Sequence, residues 1–248
     1  MHSFFRFGFA VVGLLVAPLW VHAARAGSDP AHVKATARPH TGYARSDWAE
    51  GSIGALNTNV FDLALAAASC AVHSGAVNDP ATLTVIDYSL PSTAKRLWVY
   101  DLRAHELLYE ELVAHGQGSG NDVPTMFSNE DDTHRSSLGL FATDDTYMGK
   151  NGYSLRLNGL EPGFNDRARD RAIVMHGAPY VSDSFVRSQG RLGRSWGCPA
   201  LREGIIREVI DHVKGGGLLF VYYPDQKWLN ASKFLGSCAA APTRSSQH

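Results

Sequence analysis

The chain has 248 residues, with 23 Lys and Arg against 24 Asp and Glu and a net charge of −1 when the histidines are neutral. Hydrophobic residues make up 44% and charged ones 19%, which excludes a disordered, collagenous or coiled-coil bulk; the length allows one large domain or two small ones. Balanced charge without a dense Lys/Arg block excludes the electrostatic footprint of a nucleic-acid or anionic-membrane binder, so a ligand must be recognised locally.

The stretch from Phe4 to Val21 is almost wholly apolar, interrupted by Arg6, Gly8, Gly13 and Pro18. Two small-x-small patterns follow, Val21-His22-Ala23 and Ala24-Arg25-Ala26, so residues 1–26 read as a secretory signal peptide. Its run from Phe7 to Val21 is 15 residues, short of the ~20 that a spanning helix needs, so no stable membrane insertion is expected once it is cleaved. Cleavage removes two basic residues and no acid, leaving a mildly acidic exported protein. Export implies an oxidising compartment in which cysteines pair, yet there are three: Cys70, Cys198 and Cys238. One is left over, and its neighbours decide what it does.

Residues 27–56 lack periodicity and read as a poorly ordered lead-in. From Asn57 to Ser74 a polar, capping start and an Ala-rich body predict a helix that Gly75 ends. Short β-type runs follow at Leu83–Tyr88, Arg96–Leu102 and Leu107–Ala114, the last two flanking a tight turn at Arg103-Ala104-His105. A polar stretch from Gly116 to Ser137 reads as a functional loop. Further strands are expected at Leu138–Thr143, Tyr153–Asn158 and Ala172–His176. Ile205, Ile206, Val209, Ile210 and Val213 define an amphipathic helix over Gly204–Lys214, followed by a buried strand at Leu218–Tyr223. Beyond Trp228 the chain reads as polar, with residues 231–248 a tail. The order of elements predicts a mainly β domain with a few helices, of the α+β class.

Chemistry concentrates in residues 171–202. His176 ends an apolar run, and Cys198 sits between Gly197 and Pro199, a sharp turn expected to display the thiol at a loop tip. The helix beginning shortly after would favour the thiolate through its positive end. His176 would take the thiol proton and return it to a leaving amine, and the N–H groups of Gly197 and Cys198 would bind an oxyanion. Other motifs are weaker. Gly193-Arg194-Ser195-Trp196-Gly197 fits the G-x-S-x-G elbow of serine hydrolases but lacks the strand before the Ser and a triad in the right order. His105-Glu106 begins H-E-x-x-H but ends in Tyr109, so no metal site is read. His115 and His134 flank the polar loop and are candidates to line a cleft. Asp131-Asp132 and Asp144-Asp145 read as surface charge, and tryptophans such as Trp98 and Trp228 as packing.

An apolar strand ending in His176-Gly177, a polar stretch and then Ser195-Trp196-Gly197-Cys198 resembles the L,D-transpeptidase catalytic domain, the YkuD-like β-sandwich or barrel that remodels bacterial peptidoglycan. Ser136-Ser137-Leu138-Gly139-Leu140-Phe141 is similar to an upstream strand of that family. The resemblance implies a catalytic domain over residues 57–230, Cys198 as acylated nucleophile, His176 as base and the Gly177 carbonyl as the group orienting the imidazole. It implies peptidoglycan stem peptides as partners, a periplasmic or secreted location, and no cofactor. The chain departs from the common pattern in having Trp196 two residues before the Cys and Ala200 two after it. Ser195, Trp196, Arg194 and Arg202 are the candidate substrate contacts. A hydrolase of the same fold and a non-catalytic wall-binding module are the alternatives. The simplest use of the other cysteines is a Cys70–Cys238 disulfide.

Overall fold

The computed structural model describes residues 43–236 and Cys238. The signal peptide expected over residues 1–26 and most of the tail lie outside the described residues. No helix among those described is long and apolar enough to cross a membrane.

Helix α1 (Thr58–His73) begins where Asn57 Oδ1 accepts from the N–H groups of Asn59 and Val60 at 2.9 and 3.4 Å. It ends where Ser74 and Ala76 donate back to Cys70 and Ala71, with Gly75 left-handed at φ +72°. Small side chains on its inner face, Ala64, Ala67, Ala68 and Ala71, let it lie close on the core.

Eight strands form one sheet: β1 (Thr82–Asp87), β2 (Leu97–Asp101), β3 (Glu106–Glu111), β4 (Gly139–Gly149), β5 (Gly152–Gly159), β6 (Val174–Gly177), β7 (Ala200–Leu201) and β8 (Leu218–Tyr222). Their spatial order is β3-β2-β1-β8-β4-β5-β6-β7, with β1–β8 and β6–β7 parallel and the other pairs antiparallel. An isolated bridge between Ala114, just past β3, and Ala200 of β7 draws the two ends together, so the sheet is nearly a barrel. Among the described residues the fold is therefore mainly β with four α-helices, α1 being joined by α2 (Asp183–Gln189), α3 (Ile206–Val213) and α4 (Gln226–Ala231). In the β2–β3 hairpin, Asp101 Oδ1 accepts from the N–H groups of Arg103 and Ala104, and His105 takes φ +57°. Helix α3 buries Ile206, Val209, Ile210 and Val213, the stripe expected from the spacing.

Four elements correct the expectations. The lead-in is packed from residue 43 onward: Trp48, Ile53 and Leu56 are buried, and Trp48 meets Phe61 and Tyr100 edge to face. It forms turns, so these anchors carry no period. Strand β4 continues past Thr143 to Gly149 through an irregularity that leaves Asp145 exposed. Helix α2 falls in the stretch read as polar and buries no residue, so it has no apolar stripe to betray it. The start of the tail is packed, since Phe234 is buried, whereas Trp228 packs and Cys70 pairs with Cys238 as expected.

Replacing Cys70 and Cys238 with Ser is expected to lower stability by roughly 2–5 kcal/mol, because the bond closes a long loop in the unfolded chain. A urea midpoint unchanged from wild type would show that the crosslink does not stabilise the folded chain.

Candidate active site

The turn carrying Cys198 is shaped by its own side chains. Ser195 Oγ donates to the Cys198 carbonyl at 2.6 Å and accepts from the Gly197 N–H at 3.1 Å. Gly197 has φ +118°, and a Cβ there would lie 2.8 Å from both the Arg135 carbonyl oxygen and Ile173 Cδ1. Only Gly fits. From outside, the Ser195 N–H donates to the His115 carbonyl at 2.9 Å, and Ser136 Oγ donates to the Gly197 carbonyl at 3.0 Å while accepting from the Gly116 N–H at 3.0 Å. The turn is thus clamped between two segments of the long polar loop.

Cys198 is the free cysteine and is buried, at 8% exposure. Its sulfur accepts from the Val174 N–H at 3.4 Å and faces the Ala172 carbonyl at 3.7 Å, the geometry of a protonated thiol donating to that oxygen. Two expectations are corrected here. The thiol is not displayed at a loop tip, because the turn folds inward against β6. The donor that meets it is a strand amide and not a helix terminus. Burial pushes the thiol pKa up, opposed by the Val174 N–H and the charge of Arg171.

His176 lies on β6, opposite Ala200 of β7 in the parallel register, and its N–H donates to the Pro199 carbonyl at 3.3 Å. The histidine and the thiol turn are therefore carried on paired neighbours. The ring's Nδ1 stands 2.9 Å from the Gly177 carbonyl, which can only accept, so Nδ1 carries the proton and Nε2 is left as a base. Burial lowers the His176 pKa, the Gly177 contact opposing it. At rest the pair is a neutral thiol and a neutral imidazole, with no hydrogen bond between them.

The remaining candidates separate. Ser195 is buried and spent inside the turn. The Gly197 N–H is taken by Ser195, which removes it from an oxyanion site; the Cys198 N–H faces its own sulfur. Arg194 donates to the Gly120 carbonyl at 2.8 Å and to Asn121 at 3.1 Å, and Arg202 forms a two-pronged pair with Glu111 at 2.9 and 2.5 Å. Both arginines brace loops and strands, so the expected carboxylate contact is unsupported by their geometry. Trp196 is 67% exposed and stacks on His134 at 4.9 Å and 13°. These two rings, with Asp131, Asp132, Asp170, Arg171 and Ala172, line an open cleft of about 280 Å³, and Ala172, whose carbonyl meets the sulfur, is the residue it shares with the thiol's surroundings. His115, expected as a second lining residue, is wholly buried instead.

Arg171 was not singled out from the sequence. It is fixed by the carbonyls of Ser128 and Arg135 and by Ser137 Oγ, at 2.6–2.7 Å, and its charge acts on the thiol. Nothing local marks it, since the loop that holds it lies some forty residues away in the chain. Among the described residues no group of three or more His, Cys, Asp or Glu is arranged to hold a metal ion. The site therefore offers a shielded sulfur, a neutral imidazole with its free nitrogen set by a carbonyl, and a cation nearby, the parts needed for nucleophilic catalysis by a thiol.

A family model described as the L,D-transpeptidase catalytic domain matches residues 53–222. The chain belongs to that family. Among solved structures it is similar to an L,D-transpeptidase from Mycobacterium smegmatis, at 16% identity and a TM-score of 0.37 over 58% of this chain and 59% of that one. It is similar also to the helical cell shape determining protein Pgp2 from Campylobacter jejuni, at 13% identity and a TM-score of 0.42 over 60% and 49%. A third is an L,D-transpeptidase from Stackebrandtia nassauensis, at 15% identity and a TM-score of 0.35 over 66% and 68%. The chain spans less than two thirds of the length of the first two. No curated protein matches.

Ser195→Ala is expected to lower kcat with little change in KM and to cost about 1–3 kcal/mol of stability, because it leaves the buried Gly197 N–H unsatisfied. Unchanged stability with a raised KM would instead make Ser195 a substrate contact. For the thiol, the sign is set by the raised pKa: alkylation of Cys198 should be slower at pH 7 than that of an exposed thiol and climb as pH rises toward the thiol's pKa. Rapid labelling already at pH 6 would contradict the neutral resting pair.

Proposed function

We propose that the protein is an exported L,D-transpeptidase that forms a Cys198 thioester with a peptidoglycan tetrapeptide stem, releases D-alanine and makes 3→3 cross-links. The observation that supports it most directly is the free thiol held against the strand bearing His176, whose Nδ1 is bonded to the Gly177 carbonyl. The Cys70–Cys238 disulfide, the signal peptide expected over residues 1–26 and the family's peptide chemistry agree with action in the periplasm or outside the cell.

In this mechanism a bound stem peptide moves the Cys198 proton to His176 Nε2, and the Ala172 carbonyl loses its partner. The Val174 N–H and the charge of Arg171 stay with the thiolate. The sulfur attacks the carbonyl between the third stem residue and the terminal D-amino acid. The C–N bond breaks, and His176 returns its proton to the leaving amine. An amine from a neighbouring stem then attacks the thioester, giving its proton to His176 while the C–S bond breaks and the thiolate leaves. Burial serves the second half of the cycle, because a shielded thioester is protected from water. The exposed Trp196, stacked on His134, forms the wall of the cleft along which a peptide would approach.

Cys198→Ala should abolish release of D-alanine from tetrapeptide muropeptides, and retained turnover would sink the assignment. Incubation with a carbapenem should give one covalent adduct by mass spectrometry, located on Cys198. Its absence would favour a wall-binding module, and free tripeptide stems without cross-links would favour hydrolysis.

A further inference from the structure

A buried polar cluster beside the thiol turn is used by none of these steps. Arg96, which precedes β2, is 0% exposed. Its Nε and Nη2 donate to the Val113 carbonyl at 3.1 and 2.9 Å, its Nη1 to the Leu90 carbonyl at 2.8 Å, and its Nη2 also reaches His115 Nδ1 at 2.8 Å. The guanidinium lies 5.0 Å over the Tyr88 ring, and no carboxylate touches it; Asp87 and Asp122 act on it only at longer range. An enclosed cation without a contacting counter-ion is costly, so its retention calls for a reason.

His115 supplies one. A guanidinium only donates, so Nδ1 of the wholly buried imidazole must accept, and the ring proton sits on Nε2, directed at the Gly120 carbonyl at 3.4 Å. The ring therefore ties Arg96 on one side to the polar loop on the other. The main chain of the same residue meets the thiol turn. The His115 carbonyl accepts from Ser195, Gly116 bridges to Ser195, the Gln117 N–H donates to the Ser195 carbonyl at 2.8 Å, and Arg194 reaches the same Gly120 carbonyl. The segment that sets the turn's register is thus pinned to the interior through one imidazole.

We propose that His115, clamped by Arg96, is a positioning residue for the reaction at Cys198, setting the register of the Val113–Gly120 segment against which the thiol-bearing turn is hydrogen-bonded. This rests on the reading of Cys198 as nucleophile. The groups facing the ring are Arg96, the edge of Tyr88, Arg194 and the backbone carbonyls of Gly120 and Asn121. A second ring proton would point at the guanidinium, in keeping with a His115 pKa pushed down, chiefly by burial, to about 4. Because that value lies below the unfolded one, the register is secure above about pH 6.5 and weakens as pH falls toward 4.

The test compares His115→Asn with His115→Gln in the full chain with its disulfide oxidised. Asn places an acceptor where Nδ1 stood, and Gln places its amide where Nε2 stood and removes the side-chain acceptor of Arg96 Nη2, leaving the guanidinium only its backbone carbonyls. The readouts are kcat and KM on a tetrapeptide muropeptide, and the iodoacetamide alkylation rate of Cys198 against pH. Asn should hold both within about threefold of wild type. Gln should lower kcat by roughly ten- to a hundredfold with KM nearly unchanged, and shift the alkylation profile with it, as a small misplacement of a reacting group does. Equal values for the two variants, or a folded Gln variant with wild-type alkylation, would overturn the proposal. If wild type turns over no muropeptide, the proposed function fails and the alkylation arm still decides this one. If the Gln variant does not fold, Arg96→Lys replaces it, because it keeps the charge and loses the fork; wild-type reactivity there overturns the clamp.

Discussion

The parallel pairing of β6 with β7 is the constraint on which the site depends. It is two residues long on the β7 side, yet it sets His176 opposite Ala200 and leaves Cys198 two positions upstream, against the Val174 N–H. So short a ladder does not hold itself, and its support comes from elsewhere. Ala200 is also bridged to Ala114, which closes the sheet. Ser136 ties the preceding turn to Gly116, and the His115 carbonyl holds Ser195. The near-barrel is therefore the device that places sulfur and imidazole on neighbouring strands.

Burial then decides the chemistry. Desolvation acts in opposite directions on an acid and a base, raising the thiol and lowering the imidazole, so both favour the uncharged form. An ion pair in this pocket would have to overcome both shifts before substrate arrives. The uncharged state of both groups fits the enclosed site, where a lone thiolate or imidazolium would lose its hydration. Arg171 counters part of the cost by acting on the sulfur from a position fixed by three hydrogen bonds.

Much of this was legible in the chain wherever a pattern repeats. Helix α3 shows its stripe, α1 its Asn cap and closing Gly, and the β2–β3 hairpin its turn, because each is determined by neighbours in sequence. His176 and Cys198 were legible through their flanking glycines and proline. What escaped depends on distant partners. Trp48 and Ile53 are anchors in a segment without a period, and α2 has no buried face. Ser195, Arg194 and Arg202 look like substrate contacts in sequence, yet their partners are Gly197, Gly120 and Glu111, reached only through the fold. The inward tilt of the thiol was hidden for the same reason: a Gly-Cys-Pro turn says that the chain bends and not toward what.

Backbone strain marks the same region independently. Among the described residues five non-glycine positions have positive φ, and three of them, Asp132, His134 and Ala172, line the cleft walled by Trp196. Asp and His tolerate this region, but Ala has no side chain to compensate, and its left-handed conformation costs about 1–2 kcal/mol. It persists because both flanks are held, Ala172 donating to the Arg169 carbonyl and Ile173 to that of Ala168. The Ala172 carbonyl meets the sulfur at 3.7 Å, just before the strand begins. That carbonyl is the acceptor to which the buried thiol donates, so the strained residue and the shielded sulfur are joined by one contact, as strained backbone at a built site is held by its surroundings.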